Sequence, residues 1–460
     1  MTRHLPVSLS AVEESDPVVV VGGGFAGLSA GAALAARGVR VLVVDARPQL
    51  GGRATAFADR ETGELVDNGQ HVLFGCYRET FVFLQRVGAL GNVRVQPSLS
   101  VPYIDSAGRR SVLRCPALPS PLHLLAGVLD WDAVPWRDRL AALKLAGPLR
   151  RARRQLRRTG TVSAEPRGTV SDWLAAHGQR DTLRRWLWEP LAVAALNQSP
   201  DQAEASPFVR VLAEMFGPDP AASALVLPTR PLHQMYAEPA RAFIEAHDGE
   251  VRTNALARVV VEQGRVLGVD VRGARIDARR VIAAVPWFDM RRLFLPSPPS
   301  QLGAILSAAG AMTPMPIVTV NLWYDRQVMQ DSFIGLPGRE MQWVFDKRIA
   351  FGREASHLSL VSSGATRLTA MDSDELIALA SREVADALPA ARGATLIRAT
   401  VVREKQATFS LAPGQPSRPG TLTPIEGLYL AGDWIDTGLP GTIESAVVSG
   451  HRAAQSIADC

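Results

Sequence analysis

The chain has 460 residues, 47% of them hydrophobic and 21% charged, with 38 glycines and 32 prolines, too apolar for a disordered chain and too long for one compact core, so two or three domains are expected. The formal net charge is +5, yet residues 136–158 alone carry nine Arg/Lys against the single acid Asp138, leaving the rest of the chain net acidic. A basic footprint confined to one segment argues against a nucleic-acid-binding protein and for a local role.

Residues 1–16 contain Glu13, Glu14 and Asp16 and no apolar core, so no signal peptide is expected. Residues 17–36 are uncharged, but the cluster Gly22-Gly23-Gly24 and the alanine-rich stretch after it are poor material for a membrane span. Cys76, Cys115 and Cys460 fit neither a disulfide framework nor a Cys-x-x-Cys metal clip. A reducing, cytoplasmic setting and no metal are expected.

Val18–Val21 is a continuous β-branched run, the pattern of a strand buried on both faces of a parallel sheet. Gly22-Gly23-Gly24-Phe25-Ala26-Gly27 follows, then a small-residue helix closed by Gly38, then a second strand over residues 39–44 ending at Asp45. Strand, glycine turn, helix, strand and acid form the first unit of a doubly wound α/β fold. A lone G-x-G-x-x-G is a weak signal, but Gly22, Gly24 and Gly27 have this context, with Asp45 eighteen residues beyond Gly27. Gly22 permits the tight turn, Gly24 lets the backbone approach a pyrophosphate, and Gly27 allows close helix–strand packing. The helix start, Phe25 and Ala26 included, offers N–H groups to phosphates. Asp45, with Ala46 beside it, ends the second strand where a ribose diol would bind. NAD(P) and FAD both remain open at this point.

The continuation through Leu50-Gly51-Gly52-Arg53 resembles the flavoprotein extension of this fingerprint in the amine oxidase and phytoene desaturase superfamily. The resemblance implies FAD as cofactor, with Gly52 and Arg53 along its pyrophosphate and flavin. A second matching block runs from Gly427 through Gly432-Asp433-Trp434 to Gly441-Thr442-Ile443. It implies that Gly432 and Asp433 meet the ribityl chain and that the backbone of Gly441, Thr442 and Ile443 faces the flavin or phosphate. Residues 259–271 alternate around a glycine turn, a hairpin signal, and residues 280–286 read as a buried strand ended by Pro286. In the superfamily this middle segment brings a residue near Val259 or Val260 to the adenine; Val260 is the residue carried over. The implied fold is a doubly wound, Rossmann-like FAD-binding domain assembled from residues 1–100, 246–290 and 406–460. Residues 101–245 and 291–405 then form an α+β substrate-binding domain.

The stretch Asp67-Asn68-Gly69-Gln70-His71-Val72-Leu73-Phe74-Gly75-Cys76-Tyr77 resembles a segment of plant-type phytoene and ζ-carotene desaturases and, more nearly, of bacterial squalene-associated FAD enzymes. The segment Asp433-Trp434-Ile435-Asp436-Thr437-Gly438-Leu439-Pro440 is similar to the hydroxysqualene dehydroxylase family of hopanoid biosynthesis. That resemblance implies a lipophilic C30 isoprenoid substrate, loss of an allylic hydroxyl, hydride delivery from N5 of reduced flavin, and an electron donor that the sequence does not identify. A carotenoid-type desaturase would run the flavin in the opposite direction. An amine oxidase would need a lysine near the flavin, for which only Lys347 and Lys405 stand in suitable positions. A non-catalytic FAD-binding protein is the reading from another class.

Dehydroxylation needs an acid for the departing oxygen, and His71 and Asp67 are the candidates. Arg53 is not, since a guanidinium keeps its proton. Trp173, Trp186, Trp188, Trp323, Tyr324 and Trp343 could face a cation with their rings. Residues 118–158 run from apolar sequence through Trp131, Trp136, Leu140 and Leu143 into the arginines, a composition suited to lying on the inner face of the cytoplasmic membrane. A solvated helix face is the plainer alternative, and Pro148 is expected to break the helical period.

Overall fold

The computed structural model describes residues 16–352 and 356–459; the reading of residues 1–15 as lacking a signal peptide, and Cys460, lie outside them. Five short strands, β1 (Val18–Val21), β2 (Val41–Val44), β3 (Glu250–Arg252), β4 (Val281–Ala283) and β5 (Leu428–Leu430), form a sheet of order β3-β2-β1-β4-β5. Every pairing in it is parallel. All four residues of β1 and of β2 are buried, as continuous apolar runs require when both faces of a sheet are covered. Val39, expected to open the second strand, instead donates its N–H to the Leu34 carbonyl at 3.2 Å, in the turn that ends the preceding helix.

That helix, α1 (Phe25–Ala35), is buried along its whole length, which its alanines, glycines and Ser29 allow. Packed against it are α2 (Glu238–Ala246) and α3 (Ile443–Ala458). Leu232, Met235, Tyr236, Ala240 and Ile244 belong to this core, so the chain joins the body of the parallel sheet from residue 232, before the boundary expected at 245. On the opposite face lies an antiparallel sheet of Ala257–Glu262, Arg265–Val271 and Ala274–Asp277. Its expected hairpin is present: Gln263 (φ 51°) and Gly264 (φ 79°) both take the left-handed conformation of a two-residue turn. Trp287 and Met290 pack here too, and so do Leu302 and Leu306, which lie beyond the boundary expected at 290.

The second body is built on a seven-stranded sheet of order Leu396–Phe409, Pro314–Tyr324, Ser356–Ser363, Trp343–Asp346, Phe333–Gly335, Ser100–Ile104, Arg110–Arg114. It is antiparallel except where Phe333–Gly335 meets Ser100–Ile104. The helix Ser373–Ala387 covers one face through Leu376, Ala380 and Val384. The other face turns toward helices from residues 122–215 and an apolar cavity between them. Pro148 does not break a helix there: it stands in the first turn of Ala146–Thr159, where the missing N–H has no intrahelical partner to lose. Among the described residues no helix is long and apolar enough to cross a membrane.

β1 leads through α1 to β2 on one side, while β4 flanks β1 on the other, and this reversal opens a crevice at the carboxyl ends of the strands. Backbone packs on backbone at its base. A Cβ on Gly27 would lie 1.8 Å from the Gly22 carbonyl oxygen, and one on Gly22 would lie 2.4 Å from the Ala284 oxygen. Gly27→Ala must therefore push α1 off β1, at a cost of about 4 kcal/mol or more. We expect a sharp loss of soluble protein and of thermal stability in a melt; an unchanged melting temperature would contradict the close approach.

Candidate functional site

A cavity of about 480 Å³ lies at this crevice. It is lined by Gly22, Gly24, Phe25 and Ala26 of the first turn, by Asp45 and Ala46 after β2, by Gly52 and Arg53, and by Gly432, Asp433, Gly441, Thr442 and Ile443 from the C-terminal block. The helix α1 starts at the cavity with no side-chain cap on Gly24 and no acid in its first turn, so its leading N–H groups and dipole remain available for an anion. A Cβ on Gly24 would meet no protein atom closer than 3.9 Å, so the space over this residue is open. Asp45 is buried; its Oδ2 accepts the Gly23 N–H at 2.6 Å and its Oδ1 the Arg47 N–H at 2.8 Å. Each carboxylate oxygen keeps a free lone pair for a diol.

Arg53 and Asp433, expected to contact the flavin and the ribityl chain separately, are bonded to each other. The Arg53 guanidinium donates to Asp433 Oδ1 at 2.5 Å and to Oδ2 at 3.2 Å, donates to the Ala407 carbonyl at 2.8 Å, and lies 5.2 Å from the Trp287 ring centre. This fork joins chain segments 380 residues apart in the cavity wall. Gly27 does not line the cavity; its place is the packing contact with Gly22. Val260 does not line it either: it pairs with Gly268 inside the hairpin, and only the start of that segment, Ala255, Leu256 and Ala257, reaches the cavity.

The two acid candidates part company. His71 lines the cavity, with Nδ1 3.0 Å from the Gly69 carbonyl oxygen. A carbonyl only accepts, so Nδ1 carries the hydrogen and Nε2 is the position that gains or loses a proton. Burial holds its pKa below the ordinary histidine value. Asp67 does not line the cavity. Only 2% exposed, it accepts the Leu232 N–H at 2.9 Å and forms an ion pair at 2.7 Å with Lys347, itself 1% exposed. Lys347 also donates to Gln70 Oε1. The lysine that an amine oxidase would need is thus spent on Asp67, and Lys405 is exposed on the seven-stranded sheet; neither lines the cavity. The Cys76 and Cys115 thiols are free, and burial pushes them up to about 12 and about 11, so both stay unreactive at neutral pH.

A second cavity, about 390 Å³ and mostly apolar, adjoins the first. Gln70, Val72, Tyr77, Ala194, Val361 and Ser363 line both. Of the aromatic candidates, Trp188 and Trp343 line the apolar cavity, joined by Tyr103 and Phe345; Trp173, Trp186, Trp323 and Tyr324 line neither cavity and serve packing. The sequence reading did not single out Ala194, Val361 or Ser363. One signal for Ala194 exists: the helix Glu189–Leu196 ends at Asn197 (φ 51°), whose side chain donates to Met315 O (3.1 Å) and Thr408 Oγ1 (2.9 Å) and accepts the Gly364 N–H (2.7 Å). An asparagine closing an alanine-rich helix is a readable stop, but its long-range partners are not.

Comparison with known proteins agrees with this architecture. The family model described as flavin containing amine oxidoreductase matches residues 25–458. The hydroxysqualene dehydroxylases of Rhodopseudomonas palustris and Sinorhizobium fredii are 29% and 28% identical, covering 96% and 95% of this chain and 98% and 97% of theirs. The chloroplastic and chromoplastic zeta-carotene desaturase of Arabidopsis thaliana is 24% identical over 96% of this chain and 85% of its own. Among solved structures, an oxidoreductase from Methanosarcina mazei superposes with a TM-score of 0.74 at 17% identity, over 96% of this chain and all of that one.

The open space over Gly24, the uncapped start of α1 and the spare lone pairs of Asp45 suit the phosphates and ribose of FAD. Gly24→Ala leaves the protein's own packing intact but puts a methyl group into the open space that a pyrophosphate at the start of α1 would use. We expect a folded protein with an unchanged melting temperature in the apo state that purifies without its yellow flavin. Full flavin retention would show that the phosphates lie elsewhere.

Proposed function

The chain belongs to the family of flavin-containing amine oxidoreductases, and we propose that it reductively removes the hydroxyl of hydroxysqualene to give squalene. The observation that carries this reading is the apolar cavity walled by Trp188, Trp343, Tyr103 and Phe345 and joined to the glycine-lined cavity at Gln70, Tyr77 and Ala194. A long hydrocarbon needs such a space, and an amine would need polar groups there. The two hydroxysqualene dehydroxylases are also more similar to this chain than the zeta-carotene desaturase. FAD, when reduced, supplies the hydride that replaces the hydroxyl. Atoms balance as hydroxysqualene plus reduced FAD to squalene, water and oxidised FAD, with one C–O bond lost and one C–H bond gained.

The protein's own residues have three tasks in this scheme. Apolar side chains exclude water from an allylic cation that water would trap. The rings of Trp188 and Trp343 offer π faces to that cation. His71 transfers the proton to the departing oxygen from Nε2, its other nitrogen being held by Gly69. Asp67 acts only at a distance, by holding Lys347 and through it Gln70 at the seam. The reading includes a separate electron donor and residence on the inner face of the cytoplasmic membrane, where such a substrate dissolves.

With the flavin photoreduced in the absence of oxygen, hydroxysqualene should reoxidise it and yield one squalene per flavin. Reduced flavin that persists with hydroxysqualene, while oxidised flavin is bleached by phytoene, would replace this reading with the desaturase one. Because burial depresses the His71 pKa, the protonated acid accumulates only below the ordinary histidine range, so single-turnover rates should rise as pH falls and level off below that depressed value. His71→Gln should abolish the pH dependence and slow turnover roughly a hundredfold; a wild-type rate independent of pH would remove His71 from proton transfer.

A further inference from the structure

The wall that closes the apolar cavity is apolar on its outer side as well. Six of the fifteen large apolar side chains exposed among the described residues, Leu118, Leu122, Leu129, Trp136, Leu140 and Leu143, fall within residues 118–143. Trp136 is 64% exposed and Leu122 54%. The segment folds as the helices Leu122–Asp130 and Trp136–Ala142, a short 3-10 turn, and the helix Ala146–Thr159. Its inner side is conventional core: Leu124, Val128, Leu145 and Leu149 are buried. A merely solvated face would be polar outside, and monomers rarely leave apolar side chains clustered in water.

The charge beside this patch is predominantly positive. Arg150, Arg151, Arg154, Arg157 and Arg158 are exposed on Ala146–Thr159, and the Arg137 guanidinium lies 5.4 Å from the Trp136 ring centre. Asp130 and Asp132 are the only exposed acids in residues 118–158. The patch also meets the cavity: Leu122 is exposed and lines it, and Arg150 and Arg153 line it from the neighbouring helix.

We propose that residues 118–158 dock on an anionic lipid bilayer. The exposed leucines and Trp136 enter the boundary between headgroups and acyl chains, the arginines bind lipid phosphates, and the cavity mouth at Leu122, Arg150 and Arg153 opens into the lipid. Lipid is the occupant the charge selects, because apolar insertion beside arginine matches an anionic interface and neither feature alone would. The contact stands on these exposed residues; only the use of the mouth for substrate entry rests on the proposed reaction.

The test is flotation of the FAD-loaded protein with vesicles of phosphatidylcholine alone and of phosphatidylcholine mixed equally with phosphatidylglycerol. Binding should favour the mixed vesicles and weaken with salt. Arg151 and Arg154 line neither cavity, so the double variant R151Q/R154Q should bind about fivefold more weakly per arginine removed and still act on detergent-dispersed hydroxysqualene. Trp136→Ser should also weaken binding. No preference for the anionic vesicles, or undiminished binding by both variants, would overturn the proposal. So would a Trp136→Ser protein that changes oligomeric state while vesicle binding holds, which assigns the patch to a second copy, or binding of RNA in place of vesicles. Vesicle binding that persists while hydroxysqualene is not consumed leaves the docking surface standing and removes the proposed substrate.

Discussion

Backbone packed directly on backbone is the constraint from which the rest of the site follows. Gly27 lets α1 touch the turn after β1, Gly22 lets that turn touch the chain after β4, and a Cβ on Gly450 would stand 2.2 Å from the Ala26 oxygen, so α3 touches α1 in the same way. Three segments far apart in sequence are thereby held closer than side chains would allow. Their convergence brings the starts of α1 and α3 to the carboxyl edge of one sheet. Positive helix ends, free N–H groups and glycine surfaces then face a single cavity. The Arg53–Asp433 fork fastens the same convergence from the wall.

Much of this was legible because it is local. Val18–Val21, the glycine turn and Asp45 lie within one βαβ unit, and their order alone predicts where a nucleotide would lie. The hairpin at Gln263-Gly264 was readable for the same reason. What escaped the reading was long-range. Asp67 looks like a turn residue before Asn68-Gly69, but it is buried because Lys347, 280 residues away, arrives to neutralise it. Val260, carried over by resemblance, lies further along the same strand than Ala257, the last residue of that segment to line the cavity. Arg53 and Asp433 were each recognised, and nothing in their spacing said that they would bond to each other. The domain boundaries suffered likewise, since the apolar periodicity of residues 232–246 does not say which core it joins.

The two adjoining cavities divide the chemistry. One is rimmed by peptide N–H groups, a carboxylate and an arginine; the other offers hydrocarbon and aromatic walls with a few polar groups at the shared edge. On the proposed reading, a charged cofactor and a water-insoluble substrate would lie on either side of Gln70 and Tyr77, each in the medium it tolerates. Under the proposed reaction, the reacting carbon would then lie in a dry space, where a cation could survive to take hydride. The buried Asp67–Lys347 pair stands just behind that seam, and losing either partner would leave a charge without water or counter-ion.

The proposed reaction depends most on continuity at the seam, and Ala194, which lines both cavities, is the place to interrupt it. In Ala194→Phe protein, flavin retention and reoxidation of reduced flavin by dioxygen should match the wild type, while reoxidation by hydroxysqualene should slow by at least about a hundredfold, as misplacement of the reacting groups entails. Reoxidation by hydroxysqualene at the wild-type rate, with the seam filled, would mean that the substrate does not reach the flavin through the apolar cavity.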